Sequence, residues 1–242
     1  MPPYLSIVLP AHNEEERLPD SLIRIQAFLA AQPWASEVVV VENGSQDQTA
    51  QVAEAFASRH AHVRLLREAQ PGKGRAVRRG ILAAGGEYRF ICDVDLSMPI
   101  EQVARFLPPA QADAAIVIAS REAPGAVRYN EPAHRHWIGR GFNLLVRLLA
   151  VPGLQDTQCG FKCFRADAAD ELFRLQVLNG WTFDVEVLYL ARRRGYRILE
   201  IPIPWTHVPG SRVRLARDSF AMLADLLRIR WYAARGRYGP SR

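Results

Sequence analysis

Four short polar segments carry the residue types from which chemistry could be built. Asp93-Val94-Asp95-Leu96-Ser97 sets two carboxylates one residue apart, directly after an apolar run. Once a strand loses its pleat, both can turn toward one cleft. Hard oxygens of this kind invite Mg2+ or Mn2+, ions that typically combine one or two carboxylates with waters and a substrate diphosphate. Taken alone the motif is weak, and Asp95 capping a helix beside a solvated Asp93 is the plain alternative. Gly72-Lys73-Gly74, followed by Arg75, Arg78 and Arg79, opens a helix whose first-turn amides and positive end favour phosphate. It lacks the spacing of a Walker loop, and a solvated basic face is the competing reading. Pro10-Ala11-His12-Asn13-Glu14 and Glu42-Asn43-Gly44-Ser45-Gln46-Asp47 are polar turns after two further apolar runs, with Ser45 near a helix cap.

The elements that must hold these segments alternate regularly. Apolar, β-branched runs at Leu5–Leu9, Val38–Val41, Val63–Leu66, Tyr88–Cys92 and Ala115–Ala119 read as strands. Helical periodicity occupies Glu15–Ala31, Asp47–Arg59, Lys73–Ala84 and Ile100–Phe106 between them. Such alternation implies βαβ crossovers and an α/β fold, a doubly wound and mostly parallel sheet flanked by helices. Ligands of open α/β sheets lie at the carboxyl ends of the strands, where the polar segments fall. Beyond Arg121 the pattern predicts a loop, a helix over His134–Ala150, a Gly/Cys turn, a helix near Thr182–Arg194 and a strand near Arg197–Ile203. One boundary is expected near Gly210–Ser211, separating a catalytic domain of residues 1–211 from a C-terminal helix in 212–242.

Composition narrows the function classes. With 242 residues, 49% hydrophobic and 23% charged, the chain excludes a disordered, collagen-like or disulfide-scaffold protein. Cys92, Cys159 and Cys163 match neither a Cys-x-x-Cys redox pair nor a four-ligand zinc site, which fits a reducing compartment. No run reaches the roughly 18 apolar residues of a membrane span, and Met1–Leu9 lacks the pattern of a signal peptide. A cytoplasmic protein is expected. Residues 212–242 hold eight Arg against two Asp, which accounts for the whole formal charge of +6. On a helical wheel Arg214, Arg217, Asp218, Asp225, Arg228 and Arg235 share one wedge. Val213, Phe220, Leu223, Leu227 and Trp231 lie opposite or beside it, and Met222, Leu226 and Ile229 extend the apolar side. An anionic membrane surface fits this basic amphipathic helix; packing onto the domain or a second subunit fits its apolar side equally. Nucleic acid is disfavoured because residues 1–211 carry no net charge.

Taken in order, Ile7–Glu14, Glu42–Asp47, Gly72–Gly74 and Asp93–Ser97 resemble the family 2 glycosyltransferases of GT-A fold. Ser120-Arg121, Asp156–Lys162, Gly180–Glu186, Glu200–Pro202 and Trp205–Ser211 are similar to the dolichyl-phosphate glucosyltransferase and dolichyl-phosphate mannose synthase branch. The resemblance spans roughly residues 4–230. It implies a metal-dependent, inverting transfer of glucose or mannose from UDP-glucose or GDP-mannose to a polyprenyl or dolichyl phosphate, at the cytoplasmic face of a membrane such as the cell envelope. It further implies that Pro10, Ala11, Asn13, Glu14, Glu42, Gly44, Ser45, Lys73, Asp93 and Val94 form the nucleotide pocket. Asp93 and Asp95, with Ser97, would bind Mg2+ or Mn2+, while Arg121 and Arg135 would hold the acceptor phosphate. Glu42-Asn43 departs from the two acids usual in the family, which leaves the choice of nucleotide open. A phosphate acceptor is already anionic and needs cations more than a base. A glycan or other hydroxyl acceptor is the alternative; it would need a carboxylate base, for which Asp156 is the candidate.

Overall fold

The computed structural model describes residues 2–208 and 215–240; within helices, the side chains of residues 133–138, 142 and 215–220 lie outside that description. The expected boundary at Gly210–Ser211, and with it Val213 and Arg214, also lies outside the described residues. So do the side chains of Arg217, Asp218 and Phe220.

A seven-stranded sheet, ordered β3-β2-β1-β4-β7-β5-β8, forms the centre. Strands β1 (Leu5–Ala11), β2 (Ser36–Asn43), β3 (Val63–Glu68) and β4 (Tyr88–Ile91) run parallel, as do β5 (Ile116–Ser120) and β8 (Ile198–Pro202). Strand β7 (Lys162–Arg165) joins the two groups and is antiparallel to both β4 and β5. A separate pair is formed by β6 (Val127–Tyr129) and β9 (Pro204–Thr206).

Both faces of the sheet are covered, so its central strands β1, β2, β4 and β5 are mainly apolar rather than alternating, while the edge strand β3 exposes Arg64 and Arg67. Leu5, Ile7, Leu9, Val38, Val40 and Phe90 face α1 (Leu18–Ala30), α2 (Thr49–Ala57) and a 3-10 turn over Ile100–Phe106. Val8, Val39, Val41, Ile91, Ile116 and Phe164 face α3 (Lys73–Ala83), α5 (Ala166–Leu175) and α6 (Phe183–Arg193). Helix α3 lies close against β1 and β2 because position 80 is glycine: a Cβ there would overlap Val8 and stand 2.8 Å from Val41 Cγ2. The remaining helices are α4 (Ala133–Leu149) and α7 (Leu215–Ala234).

The structure departs from the sequence reading in several places. What reads as a Gly/Cys turn continues into β7 and α5, the central antiparallel strand and its following helix. The Ile100–Phe106 segment is a 3-10 rather than an α-helix. On α7 the packed stripe is Met222, Leu226 and Ile229, all buried, whereas Leu227 and Trp231 are more than half exposed. Tyr238, beyond the helix, is fully buried and donates to Glu186 Oε1 at 2.6 Å. This part of the tail therefore completes the core beneath α6. Leu226→Ala should cost about 2–5 kcal/mol, the usual range for a fully buried leucine; urea unfolding checks this, and a loss under 1 kcal/mol would show that α7 is dispensable to the core.

Candidate active site

A cleft opens at the carboxyl ends of β1, β2 and β4. Pro10, Ala11, Glu14, Lys73, Asp93, Val94, Asp95, Ser97 and Arg121 line it, together with His12, Asn43, Arg128, Trp181, Asp184, Trp205 and His207. Segments far apart in the chain thus meet on one edge of the sheet.

The β1 and β2 turns are stitched to each other. Asn13 donates its backbone N–H to Ser45 Oγ at 3.0 Å and accepts at Oδ1 from the Gln46 N–H at 2.7 Å. Glu42 Oε1 accepts from the Ser45 N–H at 2.5 Å, and Gly44 takes a positive φ of 62° in that turn. Glu14 accepts from Arg17 at 2.7 and 2.9 Å. Asn13, Glu42, Gly44 and Ser45 therefore build the wall behind Pro10, Ala11 and Glu14, which face the cleft. Asn43, which stands where the resemblance implies an acid, donates to the Gln70 carbonyl and accepts from the Gly72 N–H, both at 2.7 Å. An aspartate could accept from Gly72 but could not donate to Gln70. The amide fastens the end of β2 to the start of α3.

Lys73, the first residue of α3, places Nζ 2.6 Å from Asp93 Oδ1 and 5.5 Å from the centre of the Trp181 ring. Burial alone would lower its pKa, but the carboxylates of Asp93, Asp184 and Asp95 outweigh that and raise it. Asp95 Oδ1 accepts from the Ser97 N–H at 3.0 Å, closing a local turn in which Leu96 adopts φ 43°. Both carboxylates remain on the cleft wall. A Cβ at position 160 would overlap the Asp93 carboxylate, so Gly160 is what lets β7's leading loop pass beside it.

Arg121 and Asp156 form the second anchor. The Asp156 carboxylate is fully buried and accepts from Arg121 Nε at 2.6 Å, Nη2 at 2.9 Å and the backbone N–H at 3.0 Å. Burial alone would raise its pKa; the guanidinium's charge and hydrogen bonds prevail and hold it at about 2. Asp156, the candidate base for a hydroxyl acceptor, is thus saturated by donors and does not line the cleft; its hydrogen bonds hold Arg121 in place. Glu200 supports it from behind by accepting from the Asp156 N–H at 2.6 Å. Arg135 lies within α4, with its side chain outside the described residues.

Several site residues escape a reading of the sequence. Arg128 sits on β6, ion-paired with Glu122 and Glu131, and shares the Trp205 ring with Arg121 at 6.0 and 5.5 Å. Nothing local marks it, because β6 exists only through pairing with the distant β9. Asp184 and Glu186, two residues apart at the start of α6, are both buried. Asp184 pairs with Lys162 at 2.7 Å, and Glu186 accepts from the Val177 and Leu178 N–H groups as well as Tyr238. Among the described residues no three His, Cys, Asp or Glu side chains cluster as a self-sufficient metal site. All three cysteines are buried and unpaired.

A doubly wound sheet with one antiparallel strand, bearing an Asp-x-Asp pair and a basic helix start at the ends of its parallel strands, defines a GT-A glycosyltransferase. The chain matches the glycosyl transferase family 2 over residues 6–173. Dolichyl-phosphate beta-glucosyltransferase of Drosophila melanogaster is 36% identical, covering 95% of this chain and 77% of that protein. Its Homo sapiens counterpart is 34% identical over 93% of this chain and 74% of its own length. Among solved structures, glucosyl-3-phosphoglycerate synthase from Mycobacterium tuberculosis, in complex with Mn2+, UDP-glucose and phosphoglyceric acid, shares the fold with a TM-score of 0.64. It is 19% identical and covers 99% of this chain and 81% of that one. The chain belongs to glycosyl transferase family 2.

Proposed function

We propose that the protein transfers glucose, with inversion, from UDP-glucose to dolichyl phosphate or a related polyprenyl phosphate. The observation that carries this reading is Arg121, a guanidinium fixed at the cleft wall by its ion pair with a buried carboxylate. Such a group suits an anionic acceptor oxygen, since its planar fork pairs two phosphate oxygens at once. The dolichyl-phosphate beta-glucosyltransferases among its relatives support glucose as the sugar.

A divalent ion belongs to this proposal. Asp93 and Asp95 present hard oxygens on the cleft wall, Ser97 lines the same turn, and glycine at 160 leaves the Asp93 carboxylate uncrowded. These residues fit Mg2+ or Mn2+. When bound, such an ion supplies positive charge for the leaving diphosphate. The chain's own contributions are separate: the α3 N-terminus attracts the donor's phosphates, the stitched β1 and β2 turns fix the nucleotide, and Arg121 orients the acceptor for attack from the face opposite the leaving group.

The acceptor's lipid requires a surface, and the same reading assigns one. Leu144 and Leu148 on α4 and Leu227 and Trp231 on α7 are large exposed apolar residues on two helices that pack together. Exposed Arg147, Arg228, Arg230 and Arg235 accompany them, with the Arg235 guanidinium 4.8 Å from the Trp231 ring centre. Among the described residues no helix is long and apolar enough to cross a membrane, so this face would bind in the interface plane.

Radiolabelled UDP-glucose and GDP-mannose, each offered with polyprenyl phosphate and Mn2+, test the reaction. Label should enter the organic phase from UDP-glucose alone and should stop with EDTA; label that stays aqueous on a sugar acceptor would overturn the proposal. For the surface, Leu148→Glu with Trp231→Glu should reduce flotation with phosphatidylserine vesicles at least tenfold, since each change places a charge where apolar area is buried. Unchanged flotation would remove the membrane assignment.

A further inference from the structure

We propose that Lys73 is a placeholder cation: in the ligand-free protein it neutralises Asp93 where a divalent ion must bind, and Asp184 receives it when that ion arrives. The inference rests on the reading of Asp93 as a metal ligand and concerns how this chain keeps that site in order before the ion binds.

One position is occupied in the structure, and the other lies in the same cleft. Lys73 Nζ is 2.6 Å from Asp93 Oδ1, in a pair whose side chains are 17% and 25% exposed. An ammonium and a divalent cation cannot share that oxygen at such range without strong repulsion, so binding of one must displace the other. Only the end of the lysine needs to move. Its backbone is fixed where α3 begins, through the Gly72 N–H to Asn43 and the Arg75 N–H to the Asn179 carbonyl. Four rotatable bonds leave the ammonium free to swing.

Asp184 is a buried acid on the cleft wall, and it closes the other end of this row of charges. It lines the same cleft as Lys73 and acts on it electrostatically. Its existing partner, Lys162, is 1% exposed and also donates to the Cys159 carbonyl at 2.5 Å, so that lysine is shared and cannot follow Asp184. Burial raises the Asp184 pKa even with both lysines opposing it. A carboxylate in that condition gains from a second cation brought closer. The Trp181 ring beside Nζ offers its π face to the ammonium. Lys162, Asp184, Lys73 and Asp93 thus alternate in sign, and a divalent ion at Asp93 shifts the mobile member of the row by one place.

Mn2+ binding followed by electron paramagnetic resonance, without nucleotide, tests this directly. Lys73→Met should bind Mn2+ about tenfold more tightly than wild type, since the ion no longer displaces a charge-assisted hydrogen bond. Asp184→Asn should bind it severalfold more weakly, and that weakening should disappear in the Lys73→Met background. Arg128→Met, which removes a cation of the same cleft whose ion pairs run to Glu122 and Glu131, should change the affinity by less than about twofold. Far-UV circular dichroism verifies each fold; should Asp184→Asn not fold, Lys73→Met against Arg128→Met still decides. Unchanged or weaker Mn2+ binding by Lys73→Met would overturn the placeholder role while leaving the metal reading intact. Wild-type Mn2+ affinity retained in Asp93→Asn would overturn the metal reading and this inference together.

Discussion

Asp93→Asn should lower kcat/KM for glucosyl transfer about a thousandfold or more, the scale expected when charge stabilisation of a leaving group is removed. The substitution keeps the shape of the side chain and discards its charge. Lys73 loses its 2.6 Å partner, but the pair is partly exposed and Asp184 and Asp95 remain within its electrostatic reach. The cost in stability should therefore stay below about 1 kcal/mol, so the loss of activity would not be a loss of fold. Titration calorimetry with UDP-glucose and Mn2+ should show the donor's affinity falling in step. Gly160→Ala provides an independent arm, because a methyl group there would overlap the Asp93 carboxylate and push it from its place without changing any charge. It should reproduce most of the defect. If Asp93→Asn kept a tenth of wild-type turnover, the leaving group would have to be stabilised elsewhere.

That experiment targets residues that the amino-acid sequence marks by itself, and the reason is physical. Strands β1, β2 and β4 are buried on both faces along most of their length, so each is a largely apolar run, with Ser6 and Arg89 as buried exceptions, that stops abruptly at a polar segment; the stop itself marks the ligand edge of the sheet. Strand β7 carries no comparable signal. It has four residues, Lys162-Cys163-Phe164-Arg165, and the lysine at its start is buried for the sake of Asp184 rather than exposed as hydropathy would suggest. Its antiparallel register depends on β4 and β5, both far earlier in the chain. Helix α5 is legible in principle, since Ala168, Ala169, Leu172 and Phe173 form a helical stripe, but it follows β7 without a loop. The tail shows the opposite limit. Helical periodicity finds a wide apolar side on α7, and only tertiary packing, against α4 and α6, decides that Met222, Leu226 and Ile229 go inward while Leu227 and Trp231 stay out. Asp156 is illegible for a related reason: a carboxylate's role depends on its partner, and Arg121 lies 35 residues upstream.

Breaking the Arg121–Asp156 pair should produce two effects that can be separated. Arg121→Met leaves a carboxylate with no solvent exposure and without its hydrogen-bonded counter-charge, and should destabilise the protein by about 3–5 kcal/mol. Combining it with Asp156→Leu removes the stranded charge, and much of that stability should return, since buried ion pairs are often replaceable by apolar groups of similar volume. Transfer to polyprenyl phosphate should not return, because the double variant has no guanidinium to hold the acceptor. Recovery of stability without recovery of turnover assigns the pair its dual role; recovery of both would make Arg121 purely structural. Acid provides a second check. Asp156 has its pKa held at about 2, below the ordinary 3.8. A depressed folded-state value means stability that is complete above about pH 4 and is lost as pH falls toward 2, amounting to about 2 kcal/mol. Urea unfolding of wild type should weaken across that window, and the double variant, having no such carboxylate, should lose about 2 kcal/mol less over the same interval. Equal slopes would mean that the carboxylate titrates alike in the folded and unfolded chain, and the guanidinium would then not be held by a charge.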